Sequence, residues 1–464
     1  MNYADSERFA AINEEMGYSP TQEIIEADLV ILNTCSVRQT AEDRILGLTR
    51  NMNELKKNNP TVKIILTGCM ARRSWTDLKS KSKSPLQMDQ KSREDFLIKE
   101  MPWIDFVIES KDYYKLPEKL GIKLQDKVDN YLSFKPISKN DFQGWIPIST
   151  GCDHFCSYCI VPFARGKEVC RDAQSILKEA QQYVDDGFKD IFLLGQTVNR
   201  WVNPKYDLDF KKGRVGNTQI PELNKTLLKA EEFDNRDPKD FLQLLQLIDN
   251  IEGDYWLNFM SSHPNYLTNE LIDFMASSKH IKPYVHFAMQ SGSNSVLKRM
   301  NRKYTIEEFV EKTQMLKSAI PNLGLSTDVI VGFPKETEEE FMETAKAMKL
   351  LGFDMAYISE YSPRKGTASA MLIDDISLNE KTRRKKYLND EVLAISALAH
   401  NQKMIGTTQK VLIEKIKNEF FFARTPDNKE VRASIYKNNL KIGTFCNVKI
   451  LNASAWALSG ELIS

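Results

Sequence analysis

The stretch Gly151-Cys-Asp-His-Phe-Cys-Ser-Tyr-Cys159 places Cys152, Cys156 and Cys159 at C-x3-C-x2-C spacing, directly after an apolar run, Trp145-Ile-Pro-Ile-Ser-Thr150. Three thiolates on one short loop can hold three corners of a four-iron cube and leave its fourth iron open. An open coordination position is where chemistry takes place, whereas a closed structural site takes four protein ligands. No fourth Cys or His stands at a spacing that closes the group as a zinc knuckle. A zinc site completed by His154 or Cys170 is the alternative, but His154 lies inside the loop, where its ring can hardly reach a metal held by its neighbours. Chance spacing of buried thiols is the other.

The remaining cysteines sharpen this reading. Seven in all (35, 69, 152, 156, 159, 170, 446) are an odd number scattered through 464 residues. The N-terminus, Met1-Asn-Tyr-Ala-Asp-Ser-Glu-Arg8, lacks the apolar core of an export signal. The set therefore reads as metal ligation in a reducing cytoplasm, not as a disulfide framework. No apolar run approaches the ~20 residues of a membrane span. Formal charge is +1, so no global attraction to nucleic acid follows from charge. The length allows two or three domains, each with its own core.

Residues 1–120 alternate helix and strand patterns. Ala27-Asp-Leu-Val-Ile-Leu-Asn33, Val62-Lys-Ile-Ile-Leu-Thr67 and Ile104-Asp-Phe-Val-Ile108 are short runs of the buried parallel type, with a helix expected over 40–57. A small doubly wound α/β domain follows. Cys35 and Cys69 come just after the first two runs, and ligands collect at the carboxyl ends of parallel strands. The two thiols are thus candidates for one shared metal site, against the alternative of two ordinary buried cysteines. Residues 79–93, rich in Lys and Ser, read as a surface excursion, and 121–144 as a linker.

From 145 to 400 the alternation returns on a larger scale. Strand-like runs fall at 146–150, 189–194, 255–260, 284–288, 324–331 and 354–359, with helical segments such as 173–186, 238–251, 306–319 and 337–351 between them. Six βα units predict a partial parallel (β/α)6 barrel, whose functional groups belong at the carboxyl ends of its strands. There the chain carries Gly195-Gln196-Thr197, Ser262-His263-Pro264, Gln290-Ser-Gly-Ser293 and Gly332-Phe-Pro334. A polar insertion, 201–237, reads as a solvated loop. Residues 401–464 turn to short alternating runs at 409–414, 419–424, 430–435 and 444–451, the pattern of a small antiparallel β-barrel. This segment has ten Lys/Arg against five Asp/Glu. Phe420, Phe421, Phe422 and Tyr436 offer aromatic faces for its core or for stacking bases, and we read it as an RNA binder.

The cysteine loop resembles that of the radical S-adenosylmethionine (SAM) enzymes, and almost the entire chain resembles their methylthiotransferase family. The match covers an N-terminal methylthiotransferase domain, the partial barrel and a C-terminal TRAM domain. Asn33-Thr-Cys-Ser-Val-Arg38 carries the Ser36-Val37-Arg38 of the tRNA-modifying branch, where the ribosomal-protein branch tends to have Gly-Phe. Ser261-Ser-His-Pro264, Gln290-Ser-Gly292, Met300-Asn-Arg302 and Tyr361-Ser-Pro-Arg-Lys-Gly-Thr367 are also similar to that branch.

The resemblance implies addition of a methylthio group at C2 of N6-isopentenyladenosine, at position 37 beside the anticodon. Sister activities act on threonylcarbamoyl-adenosine in tRNA or on a ribosomal-protein aspartate; a non-catalytic RNA-binding relative is a reading of another class. Cys152, Cys156 and Cys159 would bind the 4Fe–4S cluster whose open iron chelates SAM, with Tyr158 beside the adenine. Gly195, Gln196, Gln290, Ser291, Asp328, Gly332 and Phe333 would border SAM. Arg165 and Arg364 would meet its carboxylate or tRNA phosphate, or serve as ordinary structural arginines. Cys35 and Cys69 would bind an auxiliary 4Fe–4S cluster. The family uses three cysteines there, the first in a Gly-Cys-Gln-Met-Asn-like segment. Because this sequence begins at Met1-Asn2, just past that place, the expectation is a shortened N-terminus with the first strand missing and the auxiliary cluster one ligand short. The implied partners are the tRNA anticodon arm and a reductant such as flavodoxin or ferredoxin, for a cytoplasmic monomer with no membrane contact.

Overall fold

The computed structural model describes residues 1–37, 39–72, 97–124, 130–204, 214–215, 218–219, 239–364, 366–435 and 440–463. Arg38, Lys365, Tyr436, the excursion 79–93 and most of the insertion 201–237 lie outside the described residues. The chain divides into two compact units. One comprises Met1–Lys139, Thr150–Glu168 and Ser362–Ile373; the other Asn140–Ser149, Val169–Tyr361 and Asp374–Ser464.

In the first unit, β1 (Leu29–Thr34), β2 (Lys63–Gly68) and β3 (Phe106–Val107) form a parallel sheet in that order. Side chains alternate across a strand, so Ile64 and Leu66 join Met52, Leu55 and Trp103 in one core, while Ile65 joins Phe9, Ile12, Tyr113 and Tyr131 in another. Helix α1 (Asn2–Glu15) thus covers one face, and α2 (Gln39–Gly47) with α3 (Thr49–Asn58) belongs to the other. The single helix expected over 40–57 is broken at Leu48, where Thr49 Oγ1 turns back to donate to Leu46 O at 2.7 Å. The stretch read as a linker does not run free either. Tyr131 and Phe134 are buried in the α1-side core, and Tyr131 OH donates to Asp5 Oδ1 at 3.0 Å. Two aromatic anchors in a polar stretch are too few to show as periodicity.

In the second unit, β4 (Gln143–Pro147), β5 (Asp190–Leu194) and β6 (Trp256–Phe259) pair in parallel, as do β7 (Tyr284–His286), β8 (Gly324–Val331) and β9 (Met355–Glu360). Single parallel bridges, Leu257 to Ile281 and Ser262 to Phe287, join the two triplets. The result is the six-stranded partial barrel that the alternation predicts. Ile146, Ile191, Leu193, Leu257, Val285, Leu325, Val329 and Ile358 point outward, into one core with helical residues such as Ile176, Phe241, Leu245, Phe309 and Phe341. The helices between strands start at sequence-encoded caps: Thr305/Glu308 and Thr337/Glu340 form complete capping boxes.

The C-terminal segment closes into a barrel of β10 (Thr408–Lys417), β11 (Phe420–Arg424), β12 (Glu430–Ser434), β13 (Phe445–Ala453) and β14 (Leu458–Ile463). Four of these runs are legible in the sequence. The fifth, β14, is not, and it pairs in parallel with β12 and antiparallel with β13. Phe421 is buried in the barrel interior, whereas Phe420 and Phe422 are half-buried on its outer face.

This barrel packs on the amino ends of the parallel strands. Phe142, Trp256 and Leu412 form a buried cluster with Phe445, the Trp256 and Phe445 rings lying 4.7 Å apart. Lys410 Nζ meets Asp254 Oδ1 at 2.7 Å, and a Cβ on Gly324 would sit 2.3 Å from Asp427 O. The carboxyl ends, where parallel barrels place their chemistry, are left to other duties. Among the described residues no helix is long and apolar enough to cross a membrane.

Candidate functional site

The three clustered cysteines lie on a loop whose two ends are fastened together. Gly151 has φ +82°, and a Cβ there would come within 2.1 Å of Lys167 O, so only glycine fits this crossing. Cys152 N–H donates to Gly166 O at 3.1 Å, and Glu168 N–H to Asp153 Oδ1 at 3.2 Å. Inside the loop, Cys159 N–H donates to Cys156 O at 2.9 Å, Phe155 adopts φ +47°, and Ser157 O accepts from Ser369 N–H at 2.8 Å. Cys152, Cys156, Cys159 and Tyr158 are half-buried. The loop, although it follows a barrel strand in sequence, belongs to the first compact unit.

That unit also brings the other two candidate thiols together. Thr34 and Gly68 are register partners at the carboxyl ends of β1 and β2, and Cys35 and Cys69 follow them. Gly68 has φ +83° and would place a Cβ 2.3 Å from Thr34 O. Thr34 Oγ1 donates to Thr67 O at 2.6 Å and accepts from Met70 N–H at 3.0 Å, which locks the two strand ends. Cys69 opens the short helix α4 (Cys69–Arg72) and packs against Ile160 and Ala164, the latter on α5 (Val161–Arg165). Burial pushes the Cys69 thiol up, and the Arg165 guanidinium pulls it back down. Arg165 itself is inward-facing: Nη2 meets Asp5 Oδ2 at 2.8 Å and Asn2 Oδ1 at 2.7 Å. Its side chain is 7% exposed, so it faces the interior of this unit. Arg364 is also buried.

The donors suit iron–sulfur chemistry. Among the described residues no three His, Cys, Asp or Glu side chains converge tightly enough to hold one metal ion. A cube does not need that convergence, because each of its thiolates binds a different iron. A pinned loop presenting three thiols fits such a cluster, and the adjoining pair at the strand ends fits part of a second.

The other candidates lie in the second unit. Gly195 follows β5, where a Cβ would meet Ser149 Oγ at 2.8 Å, and Gln196 beside it is half-buried. After β6 and β7 come two non-glycine residues in the left-handed region, Ser261 at φ +68° and Gln290 at φ +66°. Such strain collects at functional sites. Gln290 N–H donates to Asp328 O at 2.8 Å, and Gln290 O accepts from Ile330 N–H at 3.0 Å. Asp328 stays open, its side chain 41% exposed, with His286 Nε2 at 3.1 Å. Three candidates are held in local packing. Ser291 is buried with its Oγ 3.2 Å from Thr344 Oγ1. Gly332, at φ +69°, would drive a Cβ to 2.3 Å from Lys381 Cγ, and its N–H donates to Glu336 Oε2 at 2.6 Å. Phe333 is fully buried, edge-on to Tyr361 at 5.2 Å. His286 was not singled out from the sequence. Its one signal there is alternation with Tyr284, which a strand buried on both faces shares with core positions.

Comparison with known proteins places these features. The model of the Radical SAM superfamily matches residues 146–348, and that of Uncharacterized protein family UPF0004 matches residues 1–87. A tRNA-2-methylthio-N(6)-dimethylallyladenosine synthase of Clostridium novyi is 34% identical over all of this chain and 94% of its own length. One of the same name from Endomicrobium trichonymphae is 34% identical over 100% of this chain and 97% of its own. The chain belongs to the radical SAM methylthiotransferase family. Membership implies a 4Fe–4S cluster and SAM, and the match over residues 1–87, which contain Cys35 and Cys69, points to a second cluster. Among solved structures, the radical SAM methyltransferase TsrM from Kitasatospora setae is 12% identical, with a TM-score of 0.44 over 86% of this chain and 71% of that one.

Proposed function

We propose that this methylthiotransferase acts on tRNA, converting N6-isopentenyladenosine beside the anticodon to its 2-methylthio derivative. What carries the reading is similarity over the full chain to synthases of that name, in a protein whose five candidate cysteines gather in one compact unit. Cys152, Cys156 and Cys159 hold one cluster; Cys35 and Cys69 contribute to the second. Sulfur insertion at an unactivated aromatic C–H lies beyond the acids, bases and nucleophiles of a polypeptide, so a cofactor must carry it. When bound, the first cluster supplies the electron that cleaves SAM reductively.

The chain's own part is to hold and orient. Gly151 and Gly166 keep the cysteine loop shut at its base, and Tyr158 would serve the SAM adenine. Gln196 and Gln290, past strand ends, and Asp328, midway along β8, would border SAM, with Gly195, Ser291, Gly332 and Phe333 shaping the backbone around them. The C-terminal β-barrel, with ten Lys/Arg to five Asp/Glu over 401–464, grips the anticodon arm through phosphate contacts, a salt-sensitive affinity. The target base is splayed from its stack, as enzymes acting on bases require. Flavodoxin or ferredoxin supplies electrons, in the cytoplasm, to a monomer.

The test is anaerobic reconstitution with iron and sulfide counted, then assays of SAM cleavage and of methylthiolation. Methylthio groups on isopentenylated tRNA support the proposal. Modification of threonylcarbamoylated tRNA or of a ribosomal protein instead, under conditions where SAM is cleaved, refutes it.

A further inference from the structure

The inner face of the partial barrel carries a polar relay. On β8, Leu325, Val329 and Val331 point outward into the helical core, and Ser326 and Asp328 point the other way. Tyr284 and His286 of β7 and Tyr357 of β9 share that inner side, opposite the outward Val285, Ala356 and Ile358. Tyr284 OH lies 2.6 Å from Ser326 Oγ, which lies 2.9 Å from His286 Nδ1; His286 Nε2 lies 3.1 Å from Asp328 Oδ2.

At one end of the relay the Asp328 carboxylate only accepts. His286 Nε2 therefore carries the hydrogen between them, and Ser326 Oγ bridges His286 Nδ1 and Tyr284 OH. Burial holds Tyr284 as the phenol, its pKa pushed up to about 12. His286 is 5% exposed, yet Asp328 at the end of the relay and Tyr357 beside it are 41% and 45% exposed, although both sit mid-strand. The barrel interior is therefore open at this level.

Parallel barrels fill their interior with layers of branched apolar side chains. A chain of four polar groups in that place is costly unless satisfied, and stability does not require it. The exposed acceptor of the relay is the open side of Asp328. On the inner face of the first two strands, Trp145 stacks on Phe192 with ring centroids 4.4 Å apart, a flat apolar wall. An acceptor held in fixed orientation on a barrel face that also carries aromatic rings suits a planar heterocycle bearing N–H.

We propose that Asp328, oriented by His286, accepts a hydrogen bond from the exocyclic N6–H of an adenine ring admitted to the barrel interior. This rests on the tRNA reading given above, in which both the target nucleotide and SAM bring such a ring. His286 is a positioning residue, and Ser326 and Tyr284 hold its ring from the other side.

The test uses the full chain with D328A, D328N and H286Q, folding being checked by circular dichroism. Without reductant, binding is measured for two otherwise identical anticodon stem-loops. One carries N6-isopentenyladenosine; the other carries N6,N6-dimethyladenosine, which has no N–H. A hydrogen bond to a charged group is worth about 1.5–3 kcal/mol, so the wild type should prefer the N–H-bearing loop by about tenfold or more. D328A should erase that preference, and H286Q, which keeps an N–H toward Asp328, should keep part of it. In a second arm KM for SAM is read from RNA-independent SAM cleavage. A rise of about tenfold in D328A, with loop preference unchanged, assigns the ring to SAM and still supports the acceptor role. D328A and D328N both within about twofold of wild type in both arms would overturn the proposal, about twofold being under half a kcal/mol. If the wild type itself neither prefers nor modifies the isopentenylated loop, the tRNA reading fails, and the SAM arm still decides the role of Asp328.

Discussion

Replacing Asp354 with asparagine should loosen the C-terminal barrel from the strands it packs on. Asp354 stands just before β9, 10% exposed, and its carboxylate gathers three donors. Leu325 N–H reaches Oδ2 at 2.9 Å; His400 Nδ1 lies 3.0 Å from Oδ1, and Lys429, from the β11–β12 turn, pairs with the same oxygen. Burial opposes ionisation here, but the His400 hydrogen bond and the Lys429 charge outweigh it, taking the carboxyl from 3.8 to about 2. At 1.36 kcal/mol per pKa unit that is about 2 kcal/mol of stability at neutral pH. Because the folded value is depressed, this stability is complete above pH 4 and is lost as pH falls from 4 toward 2. D354N also strands Lys429, itself 10% exposed and otherwise 3.8 Å from Asp427, so the single mutant should lose about 3 kcal/mol. A double-mutant cycle of D354N with Lys429→Met, read by hydrogen exchange of the β10–β14 amides, isolates the pair at about 2 kcal/mol. A coupling below about 0.5 kcal/mol, or wild type and D354N losing stability in parallel between pH 4 and 2, would refute this account.

Three further predictions concern positions where the backbone or burial leaves little choice. G151A should lower the iron bound after reconstitution and cost more than about 2 kcal/mol, since its Cβ would meet Lys167 O. G187A, also at positive φ but with open space around its Cβ, should cost about 1 kcal/mol and leave iron content unchanged. G324A should expose the C-terminal barrel to limited proteolysis, because its Cβ would collide with Asp427 O; a digestion pattern identical to wild type would count against the packing described. Cys446, whose thiol burial pushes up to about 11, should react with iodoacetamide at pH 8 about a hundredfold more slowly than an unfolded thiol, its rate rising with pH; mass spectrometry of the labelled peptide decides it.

The cysteine loop and the strand ends were legible from residues alone because their signals are local. Val30-Ile-Leu32 and Ile64-Ile-Leu66 mark strands buried on both faces, and parallel pairing then sets Thr34 beside Gly68, with a cysteine next on each. The break at Leu48 and the burial of Tyr131 depend on what packs nearby, not on a repeat. The strand Leu458–Ile463 is short and contains Gly460, which weakens any alternation, and it becomes a strand because β12 and β13 offer it edges. His286 carries no local signal, because one polar residue in a three-residue strand sets no period and its partners Ser326 and Asp328 lie 40 and 42 residues on.

What the sequence by itself determined is the inventory: five thiols at meaningful spacing, six βα units and a basic β-rich end. Those follow from short-range periodicity and spacing, which act within a few residues. Only the tertiary structure decided which groups act together. It gathered the loop of Cys152, Cys156 and Cys159 into the same compact unit as Cys35 and Cys69, turned Arg165 inward to Asp5, and aligned Tyr284, Ser326, His286 and Asp328 into one relay. These are relations between residues distant along the chain, set by which strand edges pair and which faces bury, and no local pattern specifies them.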